Sequence, residues 1–344
     1  MTMMRLLLLL ACLFFLPTSY AQKVLNIYAW GGEIPESLLV KFTQETGIKV
    51  NFATYDNNET MFAKLRTTHH PQYDVIIPST YFVEHMQKQG MLTALDPRKL
   101  PQLAHIDPFF MRYGLIKQTL YGVPLIWGAT GIFVNHKHIL KPPRAWKDLW
   151  ALKTRRQLML LDDPREMFAM ALMSLGYKPS DENPAHIHAA YEQLIRLVPL
   201  IKLFASDGIQ ALLIDGDAMI GTAWNGDVAK AQTENRDIDF IYPSEGFVVW
   251  IDCVAIPKHA PHLPQAYAFI NFLLKPESGL SIAQKEGHAI TNRDSRRQLS
   301  PNIRDNPVIY PSAAILKRAY IQHDLSDEVL ALYNEYWEAL KLSF

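Results

Sequence analysis

Trp250-Ile251-Asp252 sits inside an apolar run, residues 247–256, that is broken by a single acid. Residues two apart on a strand point to the same side, so the indole of Trp250 and the carboxylate of Asp252 are predicted to face one cavity. A carboxylate in such a run is costly unless it is paired. A ring face beside it suits a cation, drawn by the ring quadrupole and neutralised by the carboxylate. The competing reading is an Asp hydrogen-bonded to a neighbouring loop, with Trp250 as a core residue.

Three further motifs combine acids or rings with strand ends. Asp162-Asp163-Pro164-Arg165-Glu166 follows an apolar run at residues 158–161. Asp163 is predicted as a helix N-cap, with Pro164 at the first helical position and Glu166 closing a capping box. The functional alternative has Asp163 and Glu166 presenting carboxylates to a cleft. Trp224-Asn225-Gly226 follows the apolar run 219–223 and reads either as core or as a ring at a strand end. Pro78-Ser79-Thr80-Tyr81 reads as a strand-to-helix turn, in which Ser79 is an N-cap or offers a hydroxyl beside the Tyr81 ring.

The elements that position these residues alternate. Strands are predicted at residues 24–28, 48–53 and 74–77, with helices at 35–46, from Asn57 or Asn58 to 67, and at 80–89. Gly47 and Gly90 stop two of those helices. A second set follows: strands at 131–135, 158–161, 218–223 and 247–256, with helices at 164–175, 184–197, 263–274 and 277–286. Ser326 caps a last helix running to 340. Strands alternating with helices predict an α/β protein built on mainly parallel sheets, which bind ligands beyond the carboxyl ends of their strands. Trp30, Ser79 and Tyr81 fall just after predicted strands.

Residues 1–21 read as a signal peptide: Arg5, an apolar stretch at 6–16, then small residues before a cleavage site after Ala21. Eleven apolar residues are too few to span a bilayer. The localisation this predicts for the mature chain is outside the cytoplasm. A second reading, lipoprotein anchoring at Cys12, rests on the loose lipobox Leu9-Leu10-Ala11-Cys12. After cleavage only Cys253 remains, so no intramolecular disulfide forms, and its strand phase, opposite to Asp252, points it into the core. Loss of Arg5 leaves 33 basic residues against 34 acidic ones, no footprint for nucleic acid or an anionic membrane. About 320 residues favour two lobes over one.

Taken together, several segments resemble the periplasmic spermidine/putrescine-binding proteins of bacterial ABC importers. They are residues 42–50, 58–65 and 73–81, Ile126-Trp127-Gly128-Ala129-Thr130, the motifs around Asp163, Trp224 and Trp250, and residues 270–274. The likeness spans residues 25–337. It implies a two-lobed periplasmic binding protein fold, each lobe a mainly parallel sheet flanked by helices and joined by crossover hinge strands. Lobe 1 would comprise residues 22–128 plus 251–296, and lobe 2 residues 129–250 plus 297–344, with the ligand cleft between them. By matching position, the resemblance implies an aromatic box of Trp30, Tyr81, Trp224 and Trp250. It implies amine-binding carboxylates at Asp163, Glu166 and Asp252, with Ser79 and Gln322 as polar partners. The partners implied are a polyamine and the membrane permease of an ABC importer, and the compartment implied is the periplasm; the chain is expected as a monomer, without a cofactor or metal and without catalysis.

Two departures from the family pattern stand out. Where the family commonly has Thr-Glu-Tyr after the first Trp, this chain has Gly31-Gly32-Glu33, and Glu33 is the acid that could serve one position later. Where the family has a cleft Tyr after Gly287, this chain has His288, which as a neutral ring can stack or accept a hydrogen bond. Both bear on which amine is preferred. The rival readings are a receptor for another small cation, a polyamine sensor, and an exported enzyme. The chain lacks Gly-x-Ser-x-Gly and His-Glu-x-x-His. The histidine pairs His69-His70, His136-x-His138, His186-x-His188 and His259…His262 show no accompanying acidic or Cys cluster in the linear sequence. Three carboxylates in the cleft argue against an anion receptor.

Overall fold

Burial and backbone pairing follow the strand and helix patterns closely in the computed structural model, which describes residues 22–67, 72–153 and 155–344. The predicted signal peptide, the lipobox at Cys12 and the pair His69-His70 lie outside the described residues. Strand β1 (Val24–Trp30) pairs in parallel with β2 (Lys49–Tyr55) on one side and β3 (Val75–Ile76) on the other. The β1 strand runs two residues past its predicted end, so Trp30 is its last residue rather than the first of a loop. Between β1 and β2, the helix Glu36–Thr46 ends at Gly47, whose left-handed backbone (φ 69°) lets its N–H donate to the Thr43 carbonyl.

A small hairpin, β4 (Leu115–Ile116) with β5 (Thr119–Leu120), precedes β6 (Gly122–Asn135), a 14-residue strand buried throughout. Only its carboxyl-terminal part, residues 131–135, was predicted from sequence. Parallel strands β7 (Leu158–Leu161), β8 (Ile201–Ala205) and β9 (Ile220–Trp224) form a second group. β10 (Ile238–Ile241) pairs antiparallel to the far end of β6, and β11 (Phe247–Ala255) to its near end. The short strands β12 (Ala289–Ile290) and β13 (Ala319–Ile321) add to β6 and β11. Sequence periodicity missed β8, β10, β12 and β13, which are short or only partly buried and carry little alternation.

The resulting path is β2-β1-β3-β11-β6-β9-β7-β8, with parallel strands at both ends and antiparallel crossovers in the middle. The crossover is one unbroken strand. Along β6, residues up to Ala129 pair with β11, and Thr130 to Val134 pair with β9. Two parallel α/β units therefore share a single backbone, and the carboxyl ends of β1, β3, β7 and β9 deliver Trp30, Ser79, Asp163 and Trp224 or the turns that carry them.

Candidate functional site

A cavity of about 420 Å³ opens among those strand ends. Trp250 and Asp252 both line it, as the two-residue spacing on β11 requires. Cys253, in the opposite phase, is fully buried, and the β6–β11 ladder slips register between Asp252 and Cys253. Ten of the eleven predicted site residues line the cavity: Trp30, Glu33, Ser79, Tyr81, Asp163, Glu166, Trp224, Trp250, Asp252 and His288. Gln322 stands behind it instead, its amide donating to Glu166 Oε1 at 3.2 Å.

The rings form a series. Trp30 lies edge-on to Trp224 at 5.8 Å between centroids, Trp224 to Trp250 at 6.4 Å, and Trp250 to His288 at 6.0 Å. Trp250 packs directly over Gly128 of β6, where the position of a Cβ is taken by the indole and by Asn225 Oδ1. Asn225 accepts from the Ala129 N–H at 2.8 Å and donates to the Val308 carbonyl at 2.7 Å, so the residue after Trp224 fastens its strand end rather than facing the cavity.

The acids sit in built positions. Ser79 Oγ donates to Asp252 Oδ1 at 2.6 Å, and the buried amide of Asn58 donates to both Ser79 Oγ (3.0 Å) and the Tyr81 hydroxyl (2.9 Å). Asn57, not Asn58, caps the helix that follows, by accepting from the Thr60 N–H. Ser79 makes no side-chain cap bond for its own helix. Asp163 does act as N-cap, accepting from the Glu166 N–H at 2.9 Å, while also facing the cavity. The predicted capping box is half formed: Glu166 bonds Gln322 instead of returning to the backbone, and its Oε2 is buried without a partner. Glu33 is buried beside Asp252, whose charge acts on it.

Burial shifts these groups upward. It pushes Asp163 to about 6 and Asp252 to about 7, and, with Asp163 beside it, Glu166 to about 8. Burial and then the Asp252 charge raise Glu33 well above its ordinary range. Arg165 does not enter the cavity. It is buried behind Tyr81, its guanidinium 4.5 Å from the ring centroid and donating to the His323 carbonyl.

The Gly31-Gly32 departure has a geometric counterpart. Gly32 takes a left-handed backbone (φ 73°), and the space over Gly31 is filled by the Asp207 carboxylate, 2.9 Å from where a Cβ would stand. His288 Nε2 donates to the Gly32 carbonyl at 3.0 Å, and burial lowers the pKa of the ring, which keeps it neutral. Sequence reasoning missed Asp207, Asp227 and Glu286 along the lining, and Asn58 as the clamp on Ser79 and Tyr81. Among the described histidine pairs, His262 bonds Asp74, His188 bonds Tyr336, His186 bonds Asp181, and His136 lies between Asp237 (3.4 Å) and Asp239 (3.3 Å), an acidic setting invisible in the linear sequence. Among the described residues no group of three or more His, Cys, Asp or Glu is arranged to hold a metal ion.

Two parallel α/β units around an acidic, ring-lined cavity are the fold and site of a receptor for small solutes. The sequence profile of the bacterial extracellular solute-binding protein family matches residues 37–310, and the chain belongs to that family. It is 39% identical over 318 residues to the spermidine/putrescine-binding periplasmic protein of Salmonella typhimurium, covering 92% of this chain and 91% of that one. A solved structure from Listeria monocytogenes, assigned to a spermidine/putrescine ABC transporter, superposes with a TM-score of 0.89 at 32% identity, covering 94% of this chain and all of that one. The spermidine/putrescine ABC transporter substrate-binding protein of Streptococcus pneumoniae gives 0.74 at 30% identity, covering 93% and 99%. These neighbours share the two-lobed binding-protein architecture. Among the described residues no helix is long and apolar enough to cross a membrane.

Proposed function

We propose that this chain captures a polyamine in the cavity and delivers it to the membrane permease of an ABC importer. One observation carries the reading: the cavity is lined by seven carboxylates and, among the described residues, by no Lys or Arg. Burial alone makes such a group of acids unfavourable in its charged form, and a ligand carrying several ammonium groups is the natural complement. Asp252, Glu33, Asp163 and Glu166 bind ammonium, with Ser79 and Gln322 orienting Asp252 and Glu166. Trp30, Tyr81, Trp224 and Trp250 bury the methylene spacer and add cation–π attraction of about 0.5–2 kcal/mol per good contact. No bond is made or broken.

The reading places the lobe boundary within β6, one residue before the strand exchanges partners, giving lobe 1 as residues 22–128 plus 251–296 and lobe 2 as 129–250 plus 297–344. Ligand contacts from both lobes favour the closed state by differential affinity. The chain acts as a monomer in the periplasm after cleavage behind Ala21, in keeping with relatives that are themselves periplasmic. The test is calorimetric titration of mature protein, unfolded and refolded to strip carried-over ligand, with putrescine, cadaverine, spermidine and spermine. Saturable binding at micromolar or lower concentration supports the reading; no heat with any of the four overturns it.

A further inference from the structure

The carboxylates of the cavity fall into two groups. Asp252, Glu33, Asp163 and Glu166 are buried and perturb one another. Asp227, Glu286 and Asp207 make a second group, half-buried to exposed, in which Asp207 acts on Asp227 and Asp227 on Glu286. The second group is carried by elements other than β11: the first turn of the helix Asn225–Ala231, the turn after the helix Pro276–Lys285, and the turn after β8.

That end is built rather than incidental. Gln210 ties it together, its amide donating to Asp227 Oδ1 at 3.2 Å and to the Glu286 carbonyl at 3.4 Å. Ser206, 9% exposed and on the cavity lining, has a buried hydroxyl with no partner in the protein. His288, two residues after Glu286, ends the ring series that starts at Trp30, and its Nε2–H is committed to the Gly32 carbonyl. The nearby lysines have other partners, Lys230 at the Gln284 carbonyl and Lys285 at Ser37 Oγ. An acid pair, an open hydroxyl and a continuous aromatic wall therefore extend the cavity lining beyond Asp252, although Lys230 and Lys285 act on the Glu286 charge from outside it.

We infer that Asp227 and Glu286 form a second ammonium-binding end of the cavity, through which the chain selects a triamine or longer amine over a diamine. The inference rests on the polyamine reading above. A short diamine anchored at Asp252 engages this end poorly, whereas a longer chain places a further ammonium beside Asp227, with Ser206 accepting an N–H.

The test is calorimetry on the full mature chain with putrescine and spermidine, for wild type, Asp227→Asn, Glu286→Gln and Asp252→Asn, with melting curves to verify folding. Wild type is expected to prefer spermidine. Asp227→Asn is expected to lower the spermidine-to-putrescine affinity ratio about tenfold, and Glu286→Gln to lower it in the same direction, which keeps the test intact if one variant fails to fold. Asp252→Asn weakens both amines. If the ratio is unchanged in both outer variants, or wild type prefers putrescine, the second end is refuted while amine binding and the Asp252 effect keep the polyamine reading. If wild type binds neither amine, both fall.

Discussion

Ser79 and Asp252, 173 residues apart, meet through a 2.6 Å hydrogen bond in which the serine hydroxyl donates to Asp252 Oδ1. Asn58 in turn donates to Ser79, so the carboxylate that faces the cavity is oriented by a chain of two buried polar side chains. A carboxylate held in this way keeps an oxygen for a cation without reorganising when one arrives.

Asp252→Asn removes the charge and retains the shape. We expect the amine affinity to fall roughly thirtyfold, corresponding to about 2 kcal/mol for one partner of a buried charge pair. The melting temperature of the ligand-free protein should hold or rise, because a costly buried acid has gone. Calorimetry together with a melting curve tests this; unchanged affinity removes Asp252 from the ligand contacts.

Asp163 performs two tasks that different substitutions separate. Asp163→Ala loses the cap on Glu166 N–H as well as the charge, at about 0.5–2 kcal/mol of stability. Asp163→Ser keeps a capping oxygen and should restore most of that stability while amine binding stays weak. If binding recovers together with stability, Asp163 is only a cap.

The cavity acids should make binding release protons. With Asp163 at about 6, Asp252 at about 7 and Glu166 at about 8 in the empty protein, a bound ammonium favours the charged forms and expels protons. Affinity should therefore rise between about pH 5 and pH 8. Stability of the empty protein runs the other way. At these three acids the folded state holds more protons than the unfolded one between about pH 4 and pH 8, so their contribution to stability is most favourable at the acid end of that window and falls as pH rises. Titrations in buffers of different ionisation enthalpy read the proton count directly, and buffer-independent heats would contradict the shifts.

Two glycine positions should respond differently to a methyl group. At Gly128 the new Cβ falls on the Trp250 indole and on Asn225, both held by packing, so Gly128→Ala should cost about 1–3 kcal/mol and weaken amine binding. At Gly31 the obstacle is the exposed carboxylate end of Asp207, which can swing aside. Gly31→Ala should change stability by less than about 1 kcal/mol. Equal costs at the two positions would mean that Trp250 is free to move.

Residues whose placement follows from local rules are legible in the chain itself. Strand phase puts Trp250 beside Asp252 and sends Cys253 inward, and capping chemistry puts Asp163 at the start of its helix. The alternation of strands with helices places Trp30, Ser79 and Trp224 at strand ends. Other features depend on contacts between distant segments. Asn58 looks like a cap until Ser79 and Tyr81 approach it, and Gln322, singled out only by the family resemblance, stands behind the cavity with its amide on Glu166. Asp207, Asp227 and Glu286 lie in a turn, an opening helical turn and a helix end, where an acid is ordinarily just a solvated group.

Strand β6 runs unbroken through both sheet groups, exchanging β11 for β9 between Ala129 and Thr130. Any rotation of one group against the other is thus absorbed as torsion spread along a hydrogen-bonded ribbon, not as the rupture of a ladder. The join behaves as a leaf spring. Its amides should remain among the most slowly exchanging in the molecule whether or not a ligand is bound, while the turns carrying Asp207 and Glu286 exchange faster and respond to it.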